Sequence, residues 1–237
     1  MDILNKLAKE KHNNNFIVDI GSSFNSHFIN YPFRGGLFDM DLNKINRLPT
    51  NNLYTKICKK ITPDNVISSL EEINTPENFL ALNLDIDGYD LFVLIELLKK
   101  YSPKVIITEV NEKMPYPLDF AVLYNENYKW TLPHLYGYSL NCLSYVMEHF
   151  NYKLENFIFN NAILVKEDAK DIEMPVIYKQ ECNKWIGKGG WNKDVEYWQE
   201  LKGEDLENEI KSFFKDRNDD FVIGEHCKNV IMKQINL

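Results

Sequence analysis

The sequence predicts an α/β protein: a mostly parallel sheet covered by helices on both faces and closed by an antiparallel strand. Three observations predict it. Short, almost wholly apolar strands recur through the first two thirds of the chain, they alternate with segments of helical period, and the alternation finishes in a hairpin. At 237 residues, with 44% hydrophobic and 13% aromatic side chains, the chain can bury a substantial core and is too apolar to be mainly disordered. Ten Gly and nine Pro exclude a collagen-like or linker protein.

The elements follow in order. Residues 2–12 place Ile3, Leu4, Leu7 and Ala8 on one helical face. Residues 16–20 form a buried strand that runs into Gly21, residues 36–41 a second strand and residues 53–58 a third. Thr62 and Pro63 open a helix to about residue 73, since Pro is favoured at the first helical position. The strongest strand spans 79–87. After Gly88 comes a helix over 89–100, with Leu91, Val93, Leu94, Leu97 and Leu98 as a broad apolar face. Residues 104–110 read as another buried strand, 114–138 as a Pro- and Tyr-rich stretch without period, and 139–150 as a helix. The hairpin is expected at 152–159 and 161–165, turning at Asn160-Asn161. Beyond it the texture changes: Trp185, Trp191, Trp198, Gly187, Gly189 and Gly190 precede a charged helix at about 204–216. The expected organisation is a core domain over 1–168 and a mostly helical extension over 169–237. That extension would pack on the domain or on a partner, including a second copy of the chain.

Charge and cysteine usage narrow the function classes. A net charge of −8 argues against a nucleic-acid binder that works by neutralising phosphates. Cys58, Cys142, Cys182 and Cys227 lie far apart with no CxxC pair, which leaves a zinc site, a redox motif or a disulfide framework without support. The N-terminus lacks the apolar core of a signal peptide, and no stretch approaches the ~18 apolar residues of a membrane span. The expectation is a cytoplasmic protein with no membrane span and no nucleic-acid partner.

In an open parallel sheet, ligands bind beyond the carboxyl ends of the strands, so the residues there are the candidates. Asp19, Gly21 and Ser22 end the first strand. Gly21 lets the backbone turn tightly beneath a ligand to which the following amides can donate; a plain β-turn is the structural alternative. Asp39 and Asp41 end the second strand about 20 residues on, where an acid can accept from both hydroxyls of a ribose; Asp41 can equally cap a helix. Asp85, Asp87 and Asp90 put three carboxylates in a six-residue segment. A bound cation, a substrate hydroxyl or a general base would repay their repulsion, and the alternative is a pair of turn aspartates capping the next helix. Glu109 and Asn111 end the next strand and can face Asp85 and Asp87 across the cleft. The loop 130–138, with Trp130, His134, Tyr136 and Tyr138, can wall a substrate pocket in which His134 titrates near neutral pH.

Two runs carry a family resemblance. LALNLDIDGYDLFVLIELLKKYSPKVIITEVN resembles the strand–DxDGxD–helix–strand core of the FkbM-like S-adenosylmethionine-dependent methyltransferases. YGYSLNCLSYVMEHFNYKLENFIFNNAILVKED resembles their closing segment, so the likeness covers about residues 15–168. It implies a class I methyltransferase (Rossmann-like) sheet of seven strands, six parallel and one antiparallel. By the same resemblance Asp19, Gly21 and Ser22 hold the methionine moiety of S-adenosylmethionine, and Asp41 takes the ribose, or Asp39 if the strand is shorter. Asp85, Asp87 and Asp90 lie at the edge of the transferred methyl group. The family methylates hydroxyls of sugars and related metabolites, which implies a small-molecule or glycan acceptor. The family's later loop glycines are replaced here, Ser22-Ser23-Phe24-Asn25-Ser26 following Gly21.

The expected function is thus an S-adenosylmethionine-dependent O-methyltransferase. Asp85 and Asp87 are its candidate catalytic groups, with His134 as a reserve base. Asp85 also borders the cofactor, and Asp87, Glu109, Asn111 and Tyr136 meet the acceptor. Asp85, Asp87 and Asn111 are the ligands of a divalent cation if one is used. Two alternatives stand beside it. One is a metal-dependent glycosyltransferase, whose Asp-x-Asp pattern Asp85-Ile86-Asp87 matches; the other is a catalytically inactive, methyltransferase-like binding subunit.

Overall fold

Runs of Ile, Val, Leu and Phe bounded by Gly, Asn and Asp set the strands. The computed structural model describes residues 2–9, 14–166, 172–188 and 193–237. In chain order these form α1 (Asp2–Lys9), β1 (Phe16–Ile20), β2 (Arg34–Asp39), α2 (Leu42–Arg47), β3 (Tyr54–Cys58), α3 (Val66–Glu72), β4 (Ala81–Leu84), α4 (Asp90–Leu98) and β5 (Val105–Glu109). There follow β6 (Phe120–Val122), α5 (Leu140–Phe150), β7 (Lys153–Ile158), β8 (Asn161–Val165), α6 (Met174–Trp185), α7 (Lys193–Trp198), α8 (Gly203–Phe213), a 3-10 segment (Lys215–Asp220), β9 (Phe221–Ile223) and α9 (Gly224–Asn236).

The main sheet has seven strands in the order β3-β2-β1-β4-β5-β8-β7. Neighbours from β3 through β5 run parallel, whereas β8 is antiparallel to both β5 and β7. Six strands therefore share one direction and β8 opposes them, which is the class I methyltransferase arrangement. Strand periodicity divides the core between two faces. Val18, Ile20, Leu82, Leu84 and Ile106 join Leu94 of α4, Val146 of α5 and Ile231 of α9 on one side. Ile17, Leu37, Ala81, Val105 and Ile107 join Leu4 and Leu7 of α1 and Ile45 of α2 on the other. Both faces are covered, which is why β4 and β5 are buried at every position. Among the described residues no helix is long and apolar enough to cross a membrane.

The register positions the site. Ile20 lies opposite Phe38 and Leu84, and Leu84 opposite Thr108. The next residue of each strand or its exit is then Gly21, Asp39, Asp85 and Glu109, one row along the carboxyl edge.

Several elements differ from the sequence-based expectation. Strand β2 stops at Asp39, two residues early, because Asp41 caps α2: its side chain accepts from the Asn43 amide. Pro63 does not start a helix. Asn65 closes a turn over 62–65, accepting from the Thr62 amide at 2.9 Å and donating to the Lys60 carbonyl at 2.9 Å, and α3 begins at Val66. The stretch without period contains β6, which pairs antiparallel with β9 about 100 residues later. In segments α6–α9, the region expected to pack on the domain or on a partner, Tyr178, Trp198, Phe214 and Ile231 are buried in the same cluster as α4 and α5. The expected boundary at 168/169, Gly189, Gly190, Trp191 and residues 10–12 of the first helix lie outside the described residues.

Candidate active site

A cleft of about 580 Å³ opens at the carboxyl edge of the sheet, within the range that holds small ligands. Its floor comes from the register row, with Gly21, Asp39, Asp85 and Glu109 all lining it. Gly21 has φ +85°, and a Cβ there would lie 1.6 Å from the Asp85 carbonyl oxygen. Only glycine lets β1 and β4 approach this closely. The amides after β1 do not point to a ligand, contrary to expectation. Those of Gly21 and Ser22 both donate to the Phe38 carbonyl, at 2.9 and 3.0 Å, and that of Ser23 donates to Asp39 Oδ2 at 2.9 Å. The Ser22 hydroxyl donates to the same Phe38 carbonyl, so Ser22 is buried beneath the loop.

Asp19 is likewise structural in its contacts. It is fully buried, accepting from Asn83 Nδ2 at 2.8 Å and from the Ser26 hydroxyl, and burial raises its pKa. Of the two acids considered for the second strand, Asp39 reaches the cleft and Asp41 does not. Asp39 accepts the Ser23 and Asp41 amides, one on each oxygen, and keeps lone pairs toward the cleft.

The β4 exit is organised by Asp90. It is fully buried, with Oδ1 accepting from the Ile86 amide at 2.8 Å and Oδ2 from the Gly88 amide at 2.9 Å. Asp90, which the resemblance placed beside the transferred methyl group, has both carboxylate oxygens on amides of its own loop. Asp85 and Asp87 are left facing the cleft. From β5, Glu109 completes a cluster in which one carboxylate oxygen from each of the three lies within 4.8 Å of the others. Two unit charges at that separation repel by about 3 kcal/mol at an effective dielectric of about 20. Burial, then the neighbouring Asp90 and Asp87, push Asp85 up to about 7. Burial and Asp85 hold Glu109 well above the ordinary carboxylate range. Asp87 is raised by burial and partly relieved by the positive charge of Lys44.

The other expected residues lie elsewhere. Asn111 is buried, its amide donating to the carbonyls of His134 and Tyr136 at 2.8 and 2.9 Å and its oxygen accepting from the Lys113 amide at 3.3 Å. It pins the 134–138 loop, and it does not line the cleft. Tyr136 is buried behind the cleft wall, where its hydroxyl donates to Glu112 and accepts from Lys113 at 2.8 Å. His134 faces the C-terminal segments, its ring 5.9 Å from Trp198 and 6.1 Å from Phe213. Burial first, and Lys113 second, lower its pKa to about 4. It is no base for this cleft.

Sequence reasoning missed four lysines. Lys44, Lys59, Lys60 and Lys129 line the cleft, so it is not uniformly acidic. Lys59 is paired with Glu72 at 2.8 Å, and Lys60 donates to the Glu126 carbonyl. Their signal was available: Lys59 and Lys60 follow the third strand directly and so emerge at the same carboxyl edge. Trp130, 53% exposed, and the buried Tyr128 supply an aromatic wall.

No family model matches the chain, and no curated protein matches it. Among solved structures it is similar to M. capricolum TrmK in complex with the natural cofactor product S-adenosyl-homocysteine, with 17% identity and a TM-score of 0.42 over 100% of this chain and 94% of that chain. It is also similar to an O-methyltransferase family protein from Burkholderia thailandensis, with 9% identity and a TM-score of 0.43 over 72% of this chain and 56% of that one. M. jannaschii TYW2 in complex with AdoMet shares 12% identity, with a TM-score of 0.35 over 69% of this chain and 72% of that chain. The class I fold of this chain rests on its own strand order and strand directions.

Proposed function

We propose that the chain is an S-adenosylmethionine-dependent methyltransferase acting on a hydroxyl of a small or glycan acceptor. The observation that carries this reading is the row Gly21, Asp39, Asp85 and Glu109 along the carboxyl edge of a class I methyltransferase sheet. The residues present suit the cofactor in two respects. Asp39 has acceptor capacity left for a ribose diol, and the repelling carboxylates of Asp85, Asp87 and Glu109 favour a positively charged ligand. They do not supply an amide cradle for its carboxylate, because the amides of residues 21–23 are already used.

When bound, the cofactor supplies a methyl group on a sulfonium. The remaining work is alignment and proton removal. Asp85, pushed up to about 7, is matched to taking a proton from a hydroxyl near neutral pH. Asp87, exposed at the cleft, orients the acceptor. Lys44 and Lys129 on the rim favour an acceptor that carries an anionic group away from the reacting hydroxyl.

One second reading has an observation in its favour. The closed amides of the first loop suit a chain that keeps the fold as a binding subunit without turnover. The glycosyltransferase reading loses support, since the sheet order is that of the methyltransferase class. Titration calorimetry with S-adenosylmethionine, with S-adenosylhomocysteine, and with UDP-sugars plus Mn²⁺ separates all three. Binding of the first two in the micromolar range is expected. No heat with either at millimolar concentration would remove the methyl-transfer reading.

A further inference from the structure

We propose that the chain binds one hard divalent cation, of the Mg²⁺ or Mn²⁺ type, on the carboxylates of Asp85, Asp87 and Glu109. The first argument is geometric: one oxygen from each side chain lies within 4.8 Å of the others, and all three residues line the cleft. An ion that holds oxygens at about 2.1 Å draws such a set together with little rearrangement. The second concerns donors. Glu109 is 4% exposed, yet its Oε2 is buried without any hydrogen-bond partner. The large majority of buried side-chain polar atoms have a partner, and of the two carboxylate oxygens without one among the described residues, on Glu109 and Glu155, that of Glu109 lies at the cleft floor, where a ligand can supply it.

Orientation is also provided. Asn160 Nδ2 donates to Glu109 Oε1 at 2.9 Å, which turns the other oxygen toward the aspartates. On the β4 side, Asp90 holds the loop that carries Asp85 and Asp87 through the Ile86 and Gly88 amides. Among the described residues none of the three carboxylates is in an ion pair; Lys44 reaches Asp87 only as a longer-range charge. The donor set is all oxygen, with no His or Cys beside it, which selects a hard cation over zinc or copper. The remaining coordination positions face the cleft, open to water or to an acceptor oxygen.

This assignment stands without the methyl-transfer reading, and one experiment keeps the two apart. The full chain, freed of metal with EDTA and exchanged into buffer, is titrated with Mn²⁺ alone and followed by electron paramagnetic resonance and calorimetry. One Mn²⁺ per chain is expected. Glu109→Gln and the exposed Asp87→Asn should each weaken it by at least about tenfold while keeping the wild-type circular dichroism. No binding at millimolar Mn²⁺, or wild-type binding by both variants, overturns the proposal. Titration of S-adenosylhomocysteine in the presence of EDTA is run alongside. Mn²⁺ binding without it leaves the cation site standing and removes the methyltransferase; the reverse result removes only the cation.

Discussion

The two ends of the cleft floor are built from the same residue types and treat them in opposite ways. At the β1–β2 end the acids and the loop amides have partners within the protein: Asp19 in Asn83 and Ser26, Asp39 in two amides with lone pairs left for the cleft, and the Gly21 and Ser22 amides in one carbonyl. At the β4–β5 end Asp85, Asp87 and Glu109 crowd together with one buried oxygen unmatched. Both ends carry acid; the first matches it with donors, whereas at the second Asn160 reaches only one oxygen of Glu109. The first end is held by its own hydrogen bonds and offers a ligand only Asp39, whereas the second leaves a crowded set of carboxylates facing the cleft.

The largest effect is expected where the first end is tightest. Gly21→Ala drives a methyl group into the Asp85 carbonyl at a positive φ, and should cost on the order of 3–5 kcal/mol in urea unfolding. A near-wild-type midpoint would show that β1 and β4 can part without harm. At the other end the effect should fall on chemistry. Asp85→Asn and Asp87→Asn should keep the fold and lower turnover by about 10²–10⁴-fold in any acceptor assay that the wild type supports. Undiminished turnover in Asp87→Asn would return that residue to a surface turn.

The contrast also has a pH signature. Asp85 and Glu109 hold protons to higher pH folded than unfolded, so between about pH 4 and 7 the folded state binds more protons. Their contribution is fully present below about pH 4 and is lost as pH rises, that of Asp85 through about 7. His134 acts oppositely, its stability falling away as pH drops from about 6.5 toward 4. Thermal midpoints from pH 5 to 8 should therefore fall less with Glu109→Gln, which should melt about 2–4 °C above wild type at pH 8. They should fall more steeply with His134→Asn, which should leave turnover within about twofold. Parallel curves for all three proteins would deny the unmatched charge.

The smallest effect separates the two acids of the second strand. Asp41→Ala removes the cap of α2 and should cost about 1 kcal/mol with no change in ligand affinity. A loss of S-adenosylhomocysteine affinity in that variant would put the ribose acid back at Asp41.

What the sequence made legible follows from how each feature is encoded. Apolar strands such as β4 and β5 announce themselves because both their faces are buried, and the carboxyl-end rule then selects Gly21, Asp39, Asp85 and Glu109. Asp39 and Asp41 stayed ambiguous because both flank the strand end, and two residues decide between cleft and cap. Asn111, His134 and Tyr136 were misplaced for a different reason. The chain after β5 turns toward α6–α8, and nothing local says that His134 faces Trp198 and not the cleft. The lysines went unread because lysine is by default a surface residue. A three-residue strand such as β6 carries too little pattern to show at all.

The pairing of β6 with β9 has a consequence for how the protein is made. The segment that walls the cleft leaves β6 and is held from the far end of the chain, Leu123 donating to the Asp220 carbonyl at 2.8 Å and Arg217 Nη1 to Thr131 Oγ1 at 2.9 Å. A nascent chain can therefore complete its seven-stranded sheet on the ribosome while this wall is held only from the sheet side, by Lys60 on the Glu126 carbonyl and by Tyr89 against Tyr124. Residues 217–223 add the second hold on that wall when they emerge, so the last strand to be synthesised fastens a site whose floor is already folded.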